Sequence, residues 1–376
     1  MPNLNQAANE ESAMNSITRM SNRLFPALGM SLVFSLALAL AGCGGPDEET
    51  AQVGEPAAPA EAEPVTWRFA LEEIEGSVQD AYAQEFARRL SERSDGQINI
   101  EIYPYGSIGT SSQITEMMQS GALELAFASP GHLADAIPEV GVFTLHFVLS
   151  DDSEINRQVL SDPRLHDLLR DPYRDEDLEL LAIVQEGWMV WSGDKALRTP
   201  EDFEDFRIRT MTSPILVESY RAYGANPTPM PYGEVYSGLQ LGQIDGQVNP
   251  IFAIEEMSFY EEQDVLTSGR HAQFVATVAA SRQWWDGLPD DKRAMIEATR
   301  DEMVEWIDRE QIAYNEERLQ IILDAGGTEF VELTGEERDV FRALSLGVRD
   351  TYIDQAGELG REILDTLLEL VAEAEG

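Results

Sequence analysis

The stretch VTWRFALEEIEGSVQDAYAQEFARRLSERSDGQINIEI, residues 65–102, contains the succession of elements that decides the fold. Its first apolar residues alternate with polar ones, which is the pattern of a half-buried strand. The next apolar residues recur at spacings of three and four, which is typical of one helix face. Asp95-Gly96 then turns the chain into a strand that carries Ile98, Ile100 and Ile102 on one face. Strand, helix and strand in succession predict an α/β fold with parallel strands.

The same alternation continues towards the C-terminus. Three continuous apolar runs, at residues 123–128, 178–184 and 275–280, indicate buried strands. Ser213-Pro214 opens a helix and Gly224 ends it, since proline favours the first helical position and glycine the position just beyond the last one. The whole of this region is therefore predicted to alternate between strands and helices.

A long helix is predicted from Asp290 to Ala325, because these 36 residues include neither glycine nor proline. At 1.5 Å per residue such a helix would be about 54 Å long, which exceeds the diameter of one ordinary domain. We therefore expect it to lie across two lobes. A break near its middle, which would give two ordinary helices, is the alternative.

The charge balance excludes several classes of function. The 376 residues include 69 acidic and 26 basic ones, so the net charge is −43 and the chain repels nucleic acid. Such an excess also suggests a protein from a salty setting. One cysteine cannot form a disulfide within the chain, and the four histidines are dispersed, which disfavours a zinc site. No phosphate-binding or dinucleotide motif occurs, so no metal and no cofactor is expected.

The N-terminus has the features of an export signal. Arg19 and Arg23 precede an uncharged, mainly apolar run that extends to Pro46. Within it, Leu40-Ala41-Gly42-Cys43 resembles the bacterial lipobox. Residues 1–42 are predicted to be a lipoprotein signal peptide and Cys43 the site of lipid attachment, while an uncleaved membrane-spanning anchor is the alternative. Either way, the bulk of the chain is expected outside the cytoplasm, in the periplasm of a Gram-negative bacterium.

Residues 43–64 are predicted to form a flexible acidic tether. The part from residue 44 onwards contains six acidic residues, no basic ones and four prolines. Val53 is its only large apolar residue, so this segment cannot build a core.

From Trp67 onwards the chain resembles the solute-binding proteins of tripartite ATP-independent periplasmic (TRAP) transporters, and the resemblance covers nearly all of residues 66–350. Several motifs match that family and together are highly specific. They are Ser94-Asp95-Gly96, Tyr103-Pro104 with Ile108-Gly109, Arg207-Ile208-Arg209, Gly224-Ala225-Asn226-Pro227-Thr228-Pro229-Met230, Gly233-Glu234-Val235-Tyr236 and Asp245-Gly246-Gln247-Val248-Asn249-Pro250. Val248 departs from the family pattern, which has glutamate there. Within the family, Trp67-Arg68-Phe69 with Glu72-Glu73, and Ser129-Pro130-Gly131, resemble the ectoine-binding branch.

The resemblance implies a two-lobed α/β binding fold that closes on a small carboxylate-bearing solute and hands it to membrane permease subunits. Lobe 1 is expected to comprise residues 65–186 plus 275–312, and lobe 2 residues 187–274 plus 313–376. It also implies a binding protein and not an enzyme. The solute expected from the ectoine-binding branch is a zwitterion of the ectoine or hydroxyectoine type.

Arg209 is the predicted carboxylate clamp. It lies in the strand pattern Ile208-Arg209-Thr210-Met211, and a guanidinium matches a carboxylate with two parallel hydrogen bonds. A structural ion pair is the alternative in so acidic a chain. Arg207 shares its strand parity but occupies the family's lysine position, so its role is expected to be structural.

Glu73 and Asn249 are the other polar candidates. Glu73 follows the first strand at the position where the ectoine-binding branch contacts the cationic amidinium of its solute. Asn249 precedes Pro250 in a family motif and is expected to contact a carboxylate or hydroxyl of the solute. The alternatives are a solvated loop glutamate and an asparagine that serves only its own turn.

Aromatic residues are expected to form the walls of the site, because ring faces attract cations when they are desolvated. Phe274 and Tyr232 align with wall positions of the ectoine-binding branch, and Phe252 is a further candidate. His132 replaces an aromatic ring of that branch. Trp188 is also a candidate ligand-binding residue. It stands where many binders of sialic acid and other carboxylates carry a second arginine, which argues against a dianionic solute. Each aromatic residue could instead belong to the core.

Three other functions remain open at this level. A different small organic acid, such as a 2-oxo or hydroxy acid, could be the solute. The chain could be a sensor subunit that feeds a membrane signalling protein. A hydrolase is the alternative from another class, although no GxSxG motif occurs and acidic pairs are too frequent to be informative.

Overall fold

The computed structural model describes residues 63–376. The predicted signal peptide, Cys43 and nearly the whole tether therefore lie outside the described residues. The nine strands of the described part are β1 Val65–Ala70, β2 Ile98–Tyr103, β3 Leu125–Ala128, β4 Leu178–Gly193, β5 Arg207–Thr210, β6 Asn226–Pro229, β7 Gly246–Asn249, β8 Val265–Ser281 and β9 Glu329–Glu332.

The described part of the chain also contains twelve α-helices. In chain order they are α1 Val78–Arg93, α2 Ser111–Gln119, α3 Pro130–Leu133, α4 Ser153–Leu160, α5 Pro163–Asp175, α6 Pro200–Phe203, α7 Pro214–Ala222, α8 Val235–Gln240, α9 Ile251–Glu256, α10 Arg282–Gly287, α11 Asp290–Ala325 and α12 Gly335–Glu375. The last of them is interrupted at Gly357, whose φ of 69° is not helical.

The predicted β1–α1–β2 unit is present, and its two strands pair in parallel. Ser77 caps α1, because its side chain accepts a hydrogen bond from the Asp80 N–H at 3.1 Å. Phe86 and Leu90 of α1 are buried in the same core cluster as Phe69 of β1. The local sequence pattern therefore sets both the elements and their packing.

The strands form one sheet in the order β2-β1-β3-β8-β4-β7-β5-β6, and β9 pairs with β8. The sheet has two halves, since β2, β1 and β3 lie on one side of the long strands β8 and β4, and β7, β5 and β6 lie on the other. With 16 and 17 residues, β4 and β8 are the longest strands of the described part. This mixed α/β, two-lobed architecture agrees with the predicted fold class.

The expectation of parallel strands holds only in part. The outer pairs β1–β2, β1–β3, β5–β6 and β5–β7 are parallel, but β8 is antiparallel to both β3 and β4. The apolar runs at 178–184 and 275–280 belong to β4 and β8. Since burial on both faces makes a strand continuously apolar whatever its direction, such runs do not reveal orientation.

The pairing of β4 with β8 contains three irregularities, and two of them lie side by side. Gln185 opposes Val275 and Gly187 opposes Phe274, so Glu186 is left as the extra residue of a bulge. The register then shifts again, because Trp188 opposes Gln273 while Val190 opposes Ser268. The long strands are thus bent between the two halves of the sheet.

The predicted long helix is a single helix, α11, and it contacts both halves of the molecule. Near its beginning Glu302 accepts from Arg93 of α1 at 2.6 Å. Near its end Arg318 lies 3.3 Å from Glu255 of α9. Among the described residues, no helix combines the length and the apolar character that crossing a membrane requires.

Candidate functional site

The candidate site is a cavity at the junction of the two halves of the sheet. Contributions come from the loop after β1, from α2, from β3 and α3, and from β5, β7 and β8. Its lining residues are Glu72, Glu73, Ser111, Ser129, His132, Arg209, Met211, Tyr232, Asn249, Pro250, Ala253 and Phe274.

Arg209 is the cationic group of the cavity. It lies on β5 between β6 and β7, and only 1% of its surface is exposed. The guanidinium Nε and Nη2 donate to the Met230 carbonyl at 3.0 and 2.8 Å, and among the described carboxylates none forms an ion pair with it. Burial lowers the pKa of Arg209 to about 10, so the side chain remains charged at neutral pH. A buried cation without a counter-ion favours capture of an anionic group.

Arg207 shows the contrasting behaviour on the same strand. Its guanidinium is at the surface and forms an ion pair with Asp245, and its backbone N–H donates to the same carboxylate at 2.8 Å. The structural role expected for Arg207 agrees with these contacts.

Two adjacent carboxylates, Glu72 and Glu73, face the opposite side of the cavity. Glu72 accepts from the Ser129 N–H at 2.6 Å, and burial raises its pKa to about 7. Glu73 is 4% exposed and accepts from the Gln79 N–H at 3.1 Å. Burial, and the neighbouring carboxylate of Glu186, raise the pKa of Glu73 well above its usual range.

Glu186 is a site residue that the sequence did not reveal. It is fully buried behind Glu73, on the bulge of β4, and both of its carboxylate oxygens face the Gln79 side-chain amide, at 3.3 and 3.4 Å. Burial raises its pKa to about 8, although Glu73 partly offsets this by hydrogen bonding. Neither the bulge nor the contact with α1 has a signature in the local sequence.

Tyr232 and Phe274 provide aromatic surface in the lining. The Tyr232 hydroxyl donates to the Glu256 carboxylate at 3.0 Å, and the Tyr105 ring packs edge-on against the Tyr232 ring with centroids 5.7 Å apart. Burial raises the pKa of Glu256 well above its usual range. Phe274 lies on β8 opposite Gly187 and remains partly exposed to the cavity.

Asn249 and His132 complete the predicted polar group. Asn249 ends β7, and its amide Nδ2 donates to the Gln247 side-chain oxygen. His132 belongs to α3, and its pKa is lowered to about 3 by burial and by the charge of Arg209. The imidazole is therefore neutral and contributes no charge to the cavity at neutral pH.

Two predicted wall residues, Phe252 and Trp188, are not among the side chains that line the cavity in the described part of the chain. Phe252 is 1% exposed and packs in the main core, because α9 turns it away from the solute side. Trp188 pairs with Gln273 of β8, whose amide oxygen accepts from the indole N–H at 3.2 Å. The remaining six predicted residues come together around one space.

A second, larger hollow between α5, β4 and α11 has a different character. It is a surface depression whose charged groups already pair with each other, Arg170 with Asp167 and Arg300 with Asp301. No cluster of three metal-ligating side chains occurs within residues 63–376. The smaller cavity differs from this hollow, because its guanidinium, Arg209, is buried and forms no ion pair with the described carboxylates.

The chain is similar to known proteins over most of its length. Residues 69–355 match the family described as bacterial extracellular solute-binding protein, family 7. The ectoine-binding periplasmic protein TeaA of Halomonas elongata is 35% identical over 301 residues, which are 80% of this chain and 88% of that protein. The ectoine/5-hydroxyectoine-binding periplasmic protein UehA of Ruegeria pomeroyi is 34% identical over 313 residues, 82% of this chain and 91% of that protein.

A solved structure of a TRAP solute-binding protein has the same fold as this chain. The TRAP periplasmic solute-binding protein of Marinobacter aquaeolei, in an open structure without ligand, superposes with a TM-score of 0.78 at 47% identity. The alignment covers 81% of this chain and all of that one. Family, sequence relatives and fold agree on a binding protein and not an enzyme. The chain belongs to the family 7 extracellular solute-binding proteins of TRAP transporters.

Proposed function

We propose that this protein captures a small zwitterion of the ectoine or hydroxyectoine type and delivers it to the permease subunits of a TRAP transporter. One observation carries the proposal: a buried guanidinium without an ion pair among the described residues and a set of buried carboxylates face the same cavity. A zwitterion with one carboxylate and one delocalised cation neutralises both. The two ectoine-binding relatives support the same solute class.

Arg209 is proposed to hold the solute carboxylate. A guanidinium has five N–H donors, and two of its nitrogens are occupied by the Met230 carbonyl, so donors remain for a second, bidentate contact. Asn249 is proposed to contact the same carboxylate or a solute hydroxyl. A single guanidinium matches a single carboxylate, so a dianionic solute would leave one charge unpaired.

Glu73 is proposed to pair with the cationic end, with Tyr232 and Phe274 against its faces. Phe252 and Trp188 have no part in this arrangement, because they do not line the cavity. A solute without a cation would leave the carboxylates of Glu72 and Glu73 without a cationic partner, and they would have to remain protonated.

A screen of solutes by thermal shift, followed by isothermal titration calorimetry, tests the proposal. Ectoine, hydroxyectoine, betaine and small 2-oxo and hydroxy acids are compared at several salt concentrations. We expect the largest rise in melting temperature with ectoine or hydroxyectoine. Tight binding of a plain organic acid, with no response to ectoine, would instead establish the alternative solute class. A permease gene beside the gene for this chain would separate transport from a sensing role.

The proposed location is the periplasm, with lipid attachment at Cys43 and residues 44–64 as a spacer. The apolar run before Cys43 supports export, and the lipobox resemblance supports the anchor. Partitioning of the full chain into Triton X-114 tests the anchor. Wild type should enter the detergent phase and Cys43→Ala the aqueous phase, whereas equal partitioning would contradict lipid attachment at this residue.

The proposed lobes are residues 65–186 plus 275–312 and residues 187–274 plus 313–376. The division falls at the bulges of β4 and β8, which are the strands common to both halves of the sheet. Small-angle X-ray scattering with and without the bound solute tests it. A smaller radius of gyration on binding is expected, and an unchanged one would argue against closure at these bulges.

A further inference from the structure

We propose that Glu186 is a positioning residue that shares a proton with Glu73, and that capture of a cationic solute drives this proton out of the site. The inference rests on the proposed function and concerns how the cavity distinguishes a zwitterion from a plain acid. In this proposal, Glu73 contacts the solute, whereas Glu186 acts only through Glu73.

The geometry around Gln79 fixes the orientation of the groups. The Gln79 side-chain oxygen accepts from the Glu72 backbone N–H at 2.8 Å, so its NH2 group must point the other way, towards Glu186. The Gln79 backbone N–H donates to Glu73 at 3.1 Å. One fully buried glutamine therefore holds Glu73 and Glu186 side by side.

The backbone around Glu186 is equally constrained. Asn315 of α11 donates to the Glu186 carbonyl at 2.9 Å and accepts from the Phe252 N–H at 3.3 Å. Gly187 has a φ of +137°, and a Cβ there would lie 2.5 Å from the Asn315 side chain. Asn315 thus holds the bulge against α11, and the bulge places the Glu186 carboxyl beside Glu73.

No cation among the described residues neutralises the Glu73 and Glu186 carboxyls. Glu72 lies on the same loop as Glu73, and Glu256 with Tyr232 faces the pair from the other half of the sheet. Among the described cations, Arg209 turns towards the Met230 carbonyl and Arg318 pairs with Glu255. Two adjacent buried carboxylates without a cation cannot both ionise, so the pair retains one shared proton at neutral pH.

A solute cation beside Glu73 changes this balance. It stabilises the ionised forms of Glu73 and Glu186 together, so the one proton that the pair shared in the free protein is released to solvent. Binding of a cationic solute should then strengthen as the pH rises, by up to about tenfold per pH unit for one released proton, until the pair is fully ionised in the free protein. A monocarboxylate without a cation gains nothing from this exchange.

Calorimetry with ectoine in two buffers of different ionisation enthalpy, between pH 6 and 9, measures the released proton and the slope. Wild type should release up to one proton and show the pH dependence. Glu186→Gln should bind with a flatter pH dependence, because removal of the second carboxyl lets Glu73 ionise more readily. Glu75→Gln, an exposed residue of the same loop, is the matched control and should behave as wild type.

The outcomes separate this inference from the proposed function. A loss of affinity in Glu186→Gln that is equal at every pH, or a wild-type affinity that does not vary with pH, would overturn the shared proton. If ectoine does not bind at all, the proposed function fails, and the infrared spectrum of the free protein decides the inference. A protonated-carboxyl band at pH 7 that weakens in Glu186→Gln supports it, and identical bands in both proteins reject it.

Discussion

Replacement of Arg209 is the most direct test of the site. The guanidinium is 1% exposed and forms no ion pair with the described carboxylates. If it clamps the solute carboxylate, Arg209→Ala leaves a buried anion unpaired, which costs about 2–5 kcal/mol. At about 1.4 kcal/mol per tenfold change, the dissociation constant should rise by roughly 30- to 4,000-fold. Arg209→Lys should also fail, because an ammonium cannot reproduce the planar fork.

The stability of the free protein distinguishes lost binding from lost folding. A buried cation without a counter-ion destabilises the unliganded state, and an apolar side chain of similar length removes that cost. We therefore expect Arg209→Met to melt at the same temperature as wild type or higher, while it no longer responds to solute. Calorimetric titration and thermal unfolding are measured on the same preparations.

Arg207→Ala is the matched control, because Arg207 lies on the same strand but forms its ion pair with Asp245 at the surface. Its affinity for the solute should be unchanged. An Arg209→Ala or Arg209→Lys variant that binds within about threefold of wild type would refute the carboxylate clamp. An equal loss in Arg207→Ala would show that the whole strand, and not the guanidinium of Arg209, sets the affinity.

Four further predictions concern charge and conformation. Glu73→Gln should weaken ectoine binding in calorimetry and leave a plain monocarboxylate unaffected or better bound, whereas equal losses for both would remove the cationic subsite. The net charge of −43 predicts a higher melting temperature in about 1 M than in about 0.01 M salt, because the Debye length falls from roughly 30 Å to 3 Å; a melting temperature that falls with salt would contradict it. Gly187→Ala should lower the free energy of unfolding in urea by more than Gly242→Ala. Of these two glycines, only Gly187 has a side chain, that of Asn315, in the space that the new Cβ would occupy. Equal losses in the two variants would argue against a steric clash with Asn315. The pKa of Glu186 in the folded protein, about 8, is above its usual value of 4.5. The protonated Glu186 side chain therefore contributes fully to stability below about pH 4.5, and this contribution is lost as the pH rises through 8. Over this pH range the urea midpoint of Glu186→Gln should fall less than that of wild type.

The sequence predicted the elements well where the pattern is local. The β1–α1–β2 unit, the helix after Ser213-Pro214 and the whole of α11 follow from apolar spacing and from glycine and proline positions. The direction of the strands could not be predicted, because β4 and β8 are buried on both faces and their apolar sequences are the same for a parallel or an antiparallel strand. Pairing partners far apart in the chain decide that orientation.

For the candidate site too, the sequence predicted residues in local motifs and missed those that depend on distant contacts. Arg209, Asn249 and Glu73 belong to short motifs, so the sequence could point to them before the cavity was known. Glu186 could not be found, because its role depends on a bulge in β4 and on the distant Gln79. Phe252 was placed on the wall from its motif, but the turn of α9 directs its ring into the core.

The passage of β4 and β8 through both halves of the sheet affects the thermodynamics of capture. Halves joined by flexible loops could rotate about many axes, and binding would have to suppress that freedom. In the proposed closure, two hydrogen-bonded strands that bend at adjacent bulges would restrict how the halves rotate, so Arg209 and Glu73 would approach each other along a narrow range of paths. The orientational entropy of closure would then be lost largely during folding and not during binding. A small solute, which offers few contacts, would consequently be held more tightly.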